Sequence, residues 1–282
     1  MTYTEIMKIE STQNQTIKTL AKLTAKKERD KSGQFLVEGL HLLEEAKTAG
    51  ILLRVFQLDD IPEFAGAPVT FCSQPVLNRI SSQKSDARYI GLCKKPKPAS
   101  DLSAGRLLIL DQIQDPGNLG TLIRSAYAFG IEAVLLSPDC ADPYGPKAIQ
   151  SSQGALFHLP VITCGLQQQV SALKEKGIPV FGAALHADSV ELHELHIPDR
   201  YAIVIGNEGN GISRPVLEAC SQLIHIEMAS FESLNAAIAG SILMYAFQFP
   251  SRNHPFIPLD VPLSLKEQPV DACADTGSCT IR

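Results

Sequence analysis

From Arg106 onward one pattern of apolar and polar positions recurs. A short apolar run is followed by a polar turn rich in Gly, Asn and Ser, and then by apolar residues at helical spacing. The runs predict strands at Leu107–Leu110, Ala133–Leu136, Pro160–Thr163, Val180–Ala183, Ala202–Ile205 and Leu223–Ile226. The periodic stretches between and after them predict helices at Leu119–Phe129, Pro146–Gln150, Leu166–Lys176, Arg214–Cys220 and Leu234–Phe249. Strands that alternate with helices predict an α/β fold, a mostly parallel sheet covered on both faces. Before Arg106 the pattern is shorter-ranged. Ile17, Leu20 and Leu23 fall at helical spacing, and strands are expected at Phe35–Val37, Leu52–Leu58, Val69–Phe71 and Tyr89–Cys93. Helices are expected at Gly39–Ala49 and Val76–Ser81. The division read from this is a small α/β domain over 14–95, a Pro-, Lys- and Ser-rich linker over 96–105, a larger domain over 106–250 and an irregular tail over 251–282. Residues 1–13 read as a loose leader. The tail, with five prolines from 250 onward, is expected to be poorly ordered.

Three of the polar turns stand out. They lie in LLILDQIQDPGNLGTLIRSAYAFG (107–130), YAIVIGNEGNGIS (201–213) and LIHIEMASFESLNAAIAGSILMYAF (223–247). Ligands of parallel α/β sheets bind beyond the C-terminal ends of the strands, so these turns are expected to converge on one site. That favours an enzyme over a scaffold.

Bulk properties narrow the class. The chain has 282 residues, 45% of them hydrophobic, enough for two domains or for one domain with a sizeable core and an appendage. The longest near-apolar stretch, Leu234–Phe249, is too short for a membrane span and carries Asn235 and Ser241. The N-terminus lacks the basic and apolar regions of a signal peptide, so a soluble cytoplasmic protein is expected. The seven cysteines are scattered without a C-x-x-C pair and read as reduced thiols. His186, His193 and His196 are close in sequence but lack metal-ligand spacing, and no metal is expected. Net charge is −5, yet residues 16–34 and residues 84–106 each carry six basic and two acidic side chains. Out of totals of 25 and 30, that leaves 13 basic and 26 acidic residues elsewhere. Two basic stretches on an acidic body can steer a polyanion, or can be no more than a solvated lysine-rich helix face.

The Gly206-Asn-Glu208-Gly-Asn-Gly211 turn looks like a dinucleotide loop, but Glu208 stands where that fingerprint needs a glycine against pyrophosphate, and a carboxylate there repels phosphate. Its glycines point instead to close backbone approach, to a ligand or to another chain segment. Asp115-Pro-Gly-Asn118 is a turn leading into a helix that Asn118 can cap. Arg124 follows on the polar side of that helix, as a surface ion-pair partner or as a guanidinium aimed at phosphate or carboxylate. Ser233 can cap the last helix, which is apolar almost all round and therefore belongs in a core or a subunit interface.

Together these residues carry a resemblance. Asn118-x-Gly120-x-x-x-Arg124-Ser-Ala, Val204-x-Gly206-Asn-Glu208-Gly-x-Gly211 and Ile226-x-Met228 followed by Ser233-Leu-Asn235 resemble, in order and spacing, the three motifs of the SpoU/TrmH family of RNA ribose 2′-O-methyltransferases. The N-terminal stretch, with Ile17-Lys18, Leu23, Lys26-Lys27, Arg29, Phe35 and Val37-Glu38-Gly39, resembles that family's substrate-binding domain. The match runs over about residues 14–249.

The resemblance implies a SPOUT fold with a C-terminal trefoil knot, S-adenosylmethionine as cofactor, an RNA partner (ribosomal RNA favoured, transfer RNA open) and a homodimer joined through the C-terminal domain. It implies cofactor contacts from Ala183, Ala184, Gly206, Asn207, Gly211, Ile226, Met228 and Leu234. RNA contacts are implied for Lys26, Lys27 and Arg29, and a catalytic group of Arg124, Asn118, Glu208, Ser233 and Asn235. The family's arginine is proposed as a base. A guanidinium stays protonated, so the role expected for Arg124 is to hold the neighbouring phosphate and stabilise the developing alkoxide. The alternative is a non-catalytic RNA-binding relative of the same fold. Three departures stand out: Gln150 where many relatives carry Arg, Glu227 where Pro is usual, and Ala236-Ala237 where the family is more β-branched.

Overall fold

The computed structural model describes residues 8–83, 86–96, 105–186, 188–228 and 234–249. The first sheet is built from β1 (Lys8–Ile9), β2 (Gln34–Glu38), β3 (Leu52–Gln57), β4 (Val69–Cys72) and β5 (Tyr89–Lys94) in the order β1-β4-β3-β5-β2. Its helices are α1 (Gln15–Ala21), α2 (Lys26–Ser32), α3 (Leu40–Thr48) and α4 (Gln74–Ile80). The expected loose leader is corrected over its described part. Lys8 and Ile9 pair in parallel with Phe71 and Cys72 and form an edge strand. Two residues are too few to show an alternation, so the pattern did not mark them.

The second sheet has seven parallel strands: β6 (Arg106–Leu110), β7 (Ala133–Leu136), β8 (Val161–Thr163), β9 (Val180–Ala183), β10 (Val190–Glu191), β11 (Tyr201–Ile205) and β12 (Gln222–His225), in the order β10-β12-β9-β11-β6-β7-β8. Helices α5 (Pro116–Ala128), α6 (Pro146–Ser152), α7 (Leu166–Glu175), α8 (Arg214–Ala219) and α9 (Ala236–Gln248) cover it. Leu107, Leu108, Ile109 and Leu110 are all fully buried, as a central strand sandwiched between helix layers requires. The edge strand β10 was absent from the sequence reading. The tail 251–282 and linker residues 97–104 lie outside the described residues.

The strand order matters for function. β6, β7 and β8 step outward in one direction, β9 lies on the far side, and β11 then inserts between β9 and β6. The turns after β6 and β11 therefore emerge side by side where the winding reverses, which is where such sheets bind ligands. The first sheet packs on this unit through α6 and the turns on either side of it. Phe35 meets Tyr144 and Phe157 at ring distances of 5.1 and 5.8 Å, and His158 Nε2 lies 2.8 Å from Glu45 Oε2.

Candidate active site

The turns after β6 and β11 are stitched to each other. Asp111 is buried; its carboxylate accepts from Ser213 N at 2.7 Å and its own N–H donates to Ile205 O at 2.9 Å. Gln112 adopts φ 59°, and its carbonyl accepts from Asn207 Nδ2 at 2.9 Å. Asn207 Oδ1 in turn accepts from Gly209 N and Asn210 N, while the Asn207 and Gly211 backbones exchange two bonds of 2.9 Å. A Cβ on Gly206 would lie 2.2 Å from Gly211 C, and Gly211 sits at φ +68°. The glycines thus serve the loop's own fold, the second of the two readings of close approach. Sequence reasoning passed over Asp111 and Gln112, although the polar step that ends LLILDQ was the available signal.

Helix α5 starts one turn earlier than expected. Asp115, not Asn118, is the N-cap: its Oδ1 accepts from Gly117 N and Asn118 N at 2.7 and 2.9 Å, and Pro116 takes the first helical position, where its missing N–H costs nothing. Asn118 is thereby released from capping. Its Nδ2 donates to Glu208 Oε1 at 2.5 Å and its Oδ1 accepts from Asn235 Nδ2 at 3.1 Å. This relay links one residue from each motif. The N-cap of α9 is likewise Asn235, whose Oδ1 accepts from Ala237 N and Ile238 N at 2.9 and 3.3 Å; the cap expected from Ser233 is corrected, and Ser233 itself lies outside the described residues. Gly120 lets α5 close on α6, since a Cβ there would sit 2.4 Å from Ala148 O. Arg124 does not join the relay. It lies six residues along α5, about 9 Å up the axis, is exposed, and makes no hydrogen bond or ion pair among the described residues.

Beside the relay, the ends of β9 and β12 and the start of α9 line a mostly apolar, open cleft. Ala183, Ala184, Ile226, Met228 and Leu234 line it, together with Leu185 and His225, which the sequence reading missed. Gly206, Asn207 and Gly211 are not among the lining residues. They shape the adjoining turn. Glu227, between two lining residues, is not a bare charge: its carboxylate accepts from His193 N at 3.1 Å and bonds the His193 ring. That bond, with help from Glu191 and Glu194, holds the His193 imidazole above its ordinary pKa.

Burial pushes all five described cysteines up, Cys93 to about 12 and Cys72 and Cys220 to about 11. On the first sheet's unit, Lys26 and Lys27 are exposed on α2, but Arg29 is 4% exposed and bonded to Asp142, which corrects its expected role as an RNA contact.

Residues 105–245 match the model of the SpoU rRNA methylase family, and residues 14–91 match an MRM3-like substrate-binding domain. The chain belongs to the SpoU rRNA methylase family. It is 36% identical over 243 residues to the 23S rRNA (guanosine(2553)-2′-O)-methyltransferase RlmP of Bacillus subtilis, covering 84% of this chain and 97% of that one. A crystal structure of an RNA 2′-O ribose methyltransferase aligns with TM-score 0.74 and 30% identity over 87% of this chain and 99% of the other. The AdoMet-bound rRNA methyltransferase of Sinorhizobium meliloti aligns with TM-score 0.77 and 25% identity over 86% and 97%. In this SpoU protein, then, three motifs far apart in sequence meet as one relay beside one cleft.

Proposed function

We propose that this SpoU protein transfers a methyl group from S-adenosylmethionine to a ribose 2′-hydroxyl of ribosomal RNA. The observation that carries the reading is the Glu208–Asn118–Asn235 relay next to an apolar cleft at the strand ends. The cleft suits the cofactor: the small side chains of Ala183 and Ala184 and the apolar Ile226, Met228 and Leu234 would hold its flat base. When bound, S-adenosylmethionine supplies a methyl group already activated as a sulfonium. The protein's task is to orient the ribose and ease loss of the hydroxyl proton. Glu208 Oε1 is held by Asn118, while Oε2 has no partner among the described residues and can accept from a ribose hydroxyl. Arg124, charged and open to solvent, can hold the adjoining phosphate and stabilise the alkoxide. Ser233 completes the catalytic group on the family resemblance.

Residues 14–95 act in this reading as the RNA-binding domain, with Lys26 and Lys27 on its exposed surface. A homodimer is favoured by α9 and its C-cap: Ile238, Ile242, Tyr245 and Phe249 form an exposed apolar stripe at helical spacing. The knotted C-terminal path rests on the family and on β12 lying beyond β9 while α9 returns to pack on α5 and β11. No helix among the described residues is long and apolar enough to cross a membrane; we place the enzyme in the cytoplasm, with its ribosomal substrate. The deciding experiment maps ribose methylation in cellular ribosomal and transfer RNA with and without the gene. Loss of one ribosomal 2′-O-methyl group supports the proposal; an unchanged map in both RNAs overturns it.

A further inference from the structure

The buried contact between α2 and the turn after β7 reaches further than the seam it closes. Arg29 Nε and Nη2 donate to Asp142 Oδ2 at 3.1 and 2.6 Å, and Nη1 donates to Leu23 O and Thr24 O at 2.7 and 2.8 Å. Asp142 Oδ1 accepts from Tyr144 N at 3.0 Å, which fixes the other end. Asp142 stands in the turn that leads into α6. One residue past the start of α6, Lys147 Nζ bonds Asp115 Oδ2 at 2.8 Å, and Asp115 is the cap that aims Asn118. Helix α6 also bears on α5 at Gly120, with no room for a side chain between them. The exposed Lys26 and Lys27 occupy the first turn of the short helix whose fourth residue is Arg29.

We infer that Arg29 and Asp142 are positioning residues that lock the RNA-binding surface of α2 in register with the relay on α5. A guanidinium whose Nε and Nη2 hold a carboxylate while Nη1 holds two carbonyls allows one orientation, which a lysine at this point does not. The pair touches neither the cofactor cleft nor the relay. Its effect is on where a bound RNA presents its ribose, and this inference rests on the methyltransferase reading above.

The test uses the full-length protein with Asp142→Asn, which removes the charge and keeps the shape, and Asp142→Glu, which keeps the charge and moves the carboxylate by one methylene. Wild type, assayed first, must show RNA-dependent methyl transfer; if it shows none, the functional reading fails and not this one. S-adenosylmethionine affinity by calorimetry is expected to stay within about twofold of wild type in both variants. At saturating RNA kcat is expected to fall between about tenfold and a hundredfold, the scale of a misplacement of about 1 Å at the reacting atoms. RNA affinity, by filter binding, changes less than kcat. Should Asp142→Asn not fold, Asp142→Glu alone decides. Wild-type kcat in a folded variant, or cofactor affinity falling in step with kcat, overturns the inference.

Discussion

Asn118 donates to Glu208 at 2.5 Å across 90 positions of sequence, and that one bond decides which carboxylate oxygen is left for a substrate. Replacing Glu208 with Gln keeps the size and removes the acceptor charge. Methyl transfer at saturating cofactor and RNA is expected to fall by about 10²–10⁴-fold, the usual contribution of a positioned proton acceptor. Single-turnover assays check it, and a Gln variant within threefold of wild type would remove Glu208 from the chemistry.

Arg124 stands apart from the relay, exposed and without a partner among the described residues. Its truncation should therefore leave folding alone. Arg124→Ala is expected to melt within about 0.5 kcal/mol of wild type, as surface substitutions do, and to bind S-adenosylmethionine normally while losing methyl transfer. Full activity with intact cofactor binding would show that the guanidinium has no part in the reaction.

Gly120 carries a stability prediction. The would-be Cβ lies 2.4 Å from a backbone oxygen of α6, which cannot swing aside as a side-chain tip can. Gly120→Ala is expected to destabilise by about 1–3 kcal/mol through overpacking, even though alanine is the better helix former. Denaturant titration checks this; a more stable variant would mean that the two helices separate freely.

The His193–Glu227 pair carries a pH signature. The hydrogen bond that the His193 ring donates to Glu227 raises the folded-state pKa of His193 above its ordinary value of 6.5. The contribution is then fully present below about pH 6.5 and is lost as pH rises through the raised value. Both groups are largely exposed, so the effect is small and weakens with salt. Melting curves between pH 5 and 9, an order-of-magnitude window around that pKa, should show wild type losing ground against His193→Gln toward alkaline pH. Parallel profiles would dismiss the pair.

Lys26 and Lys27 are exposed on α2, whereas Arg29 is buried. Replacing both lysines with Ala is expected to weaken RNA binding and to flatten its dependence on salt. The log–log slope should fall by about one unit for each phosphate that is no longer neutralised, with cofactor affinity unchanged. An unaltered salt slope would relocate the RNA track.

The strand-turn-helix order of the second sheet was legible because each buried strand is a continuous apolar run and each turn is polar. The relay residues Asn118, Glu208 and Asn235 were legible through their motifs. The caps were misassigned for a local reason: Asp115-Pro116 and Asn118 are both good helix starts, and only the bonds made show which one caps. Arg29 was misread because an arginine between lysines on a short helix looks solvated, and the carboxylate that buries it is 113 positions away. The two-residue strands β1 and β10 have no periodicity to read. The glycines of the second motif left two readings open because close approach to another segment leaves the same trace in sequence as close approach to a ligand.

The insertion of β11 between β9 and β6 sets the order in which this protein can mature. While the chain emerges from the ribosome, β6 can pair with β7 and β7 with β8, but the other edge of β6 has no partner until Tyr201–Ile205 has been made. The Glu208 turn comes with that strand, and Asn235 follows it. A nascent chain therefore holds a bare hydrophobic edge and no working relay until nearly all of the described chain has been synthesised. Such late, non-local pairing folds slowly and exposes strand edges to other chains. Premature termination before β11 yields a species prone to aggregate, with no residual methyl transfer to betray its presence.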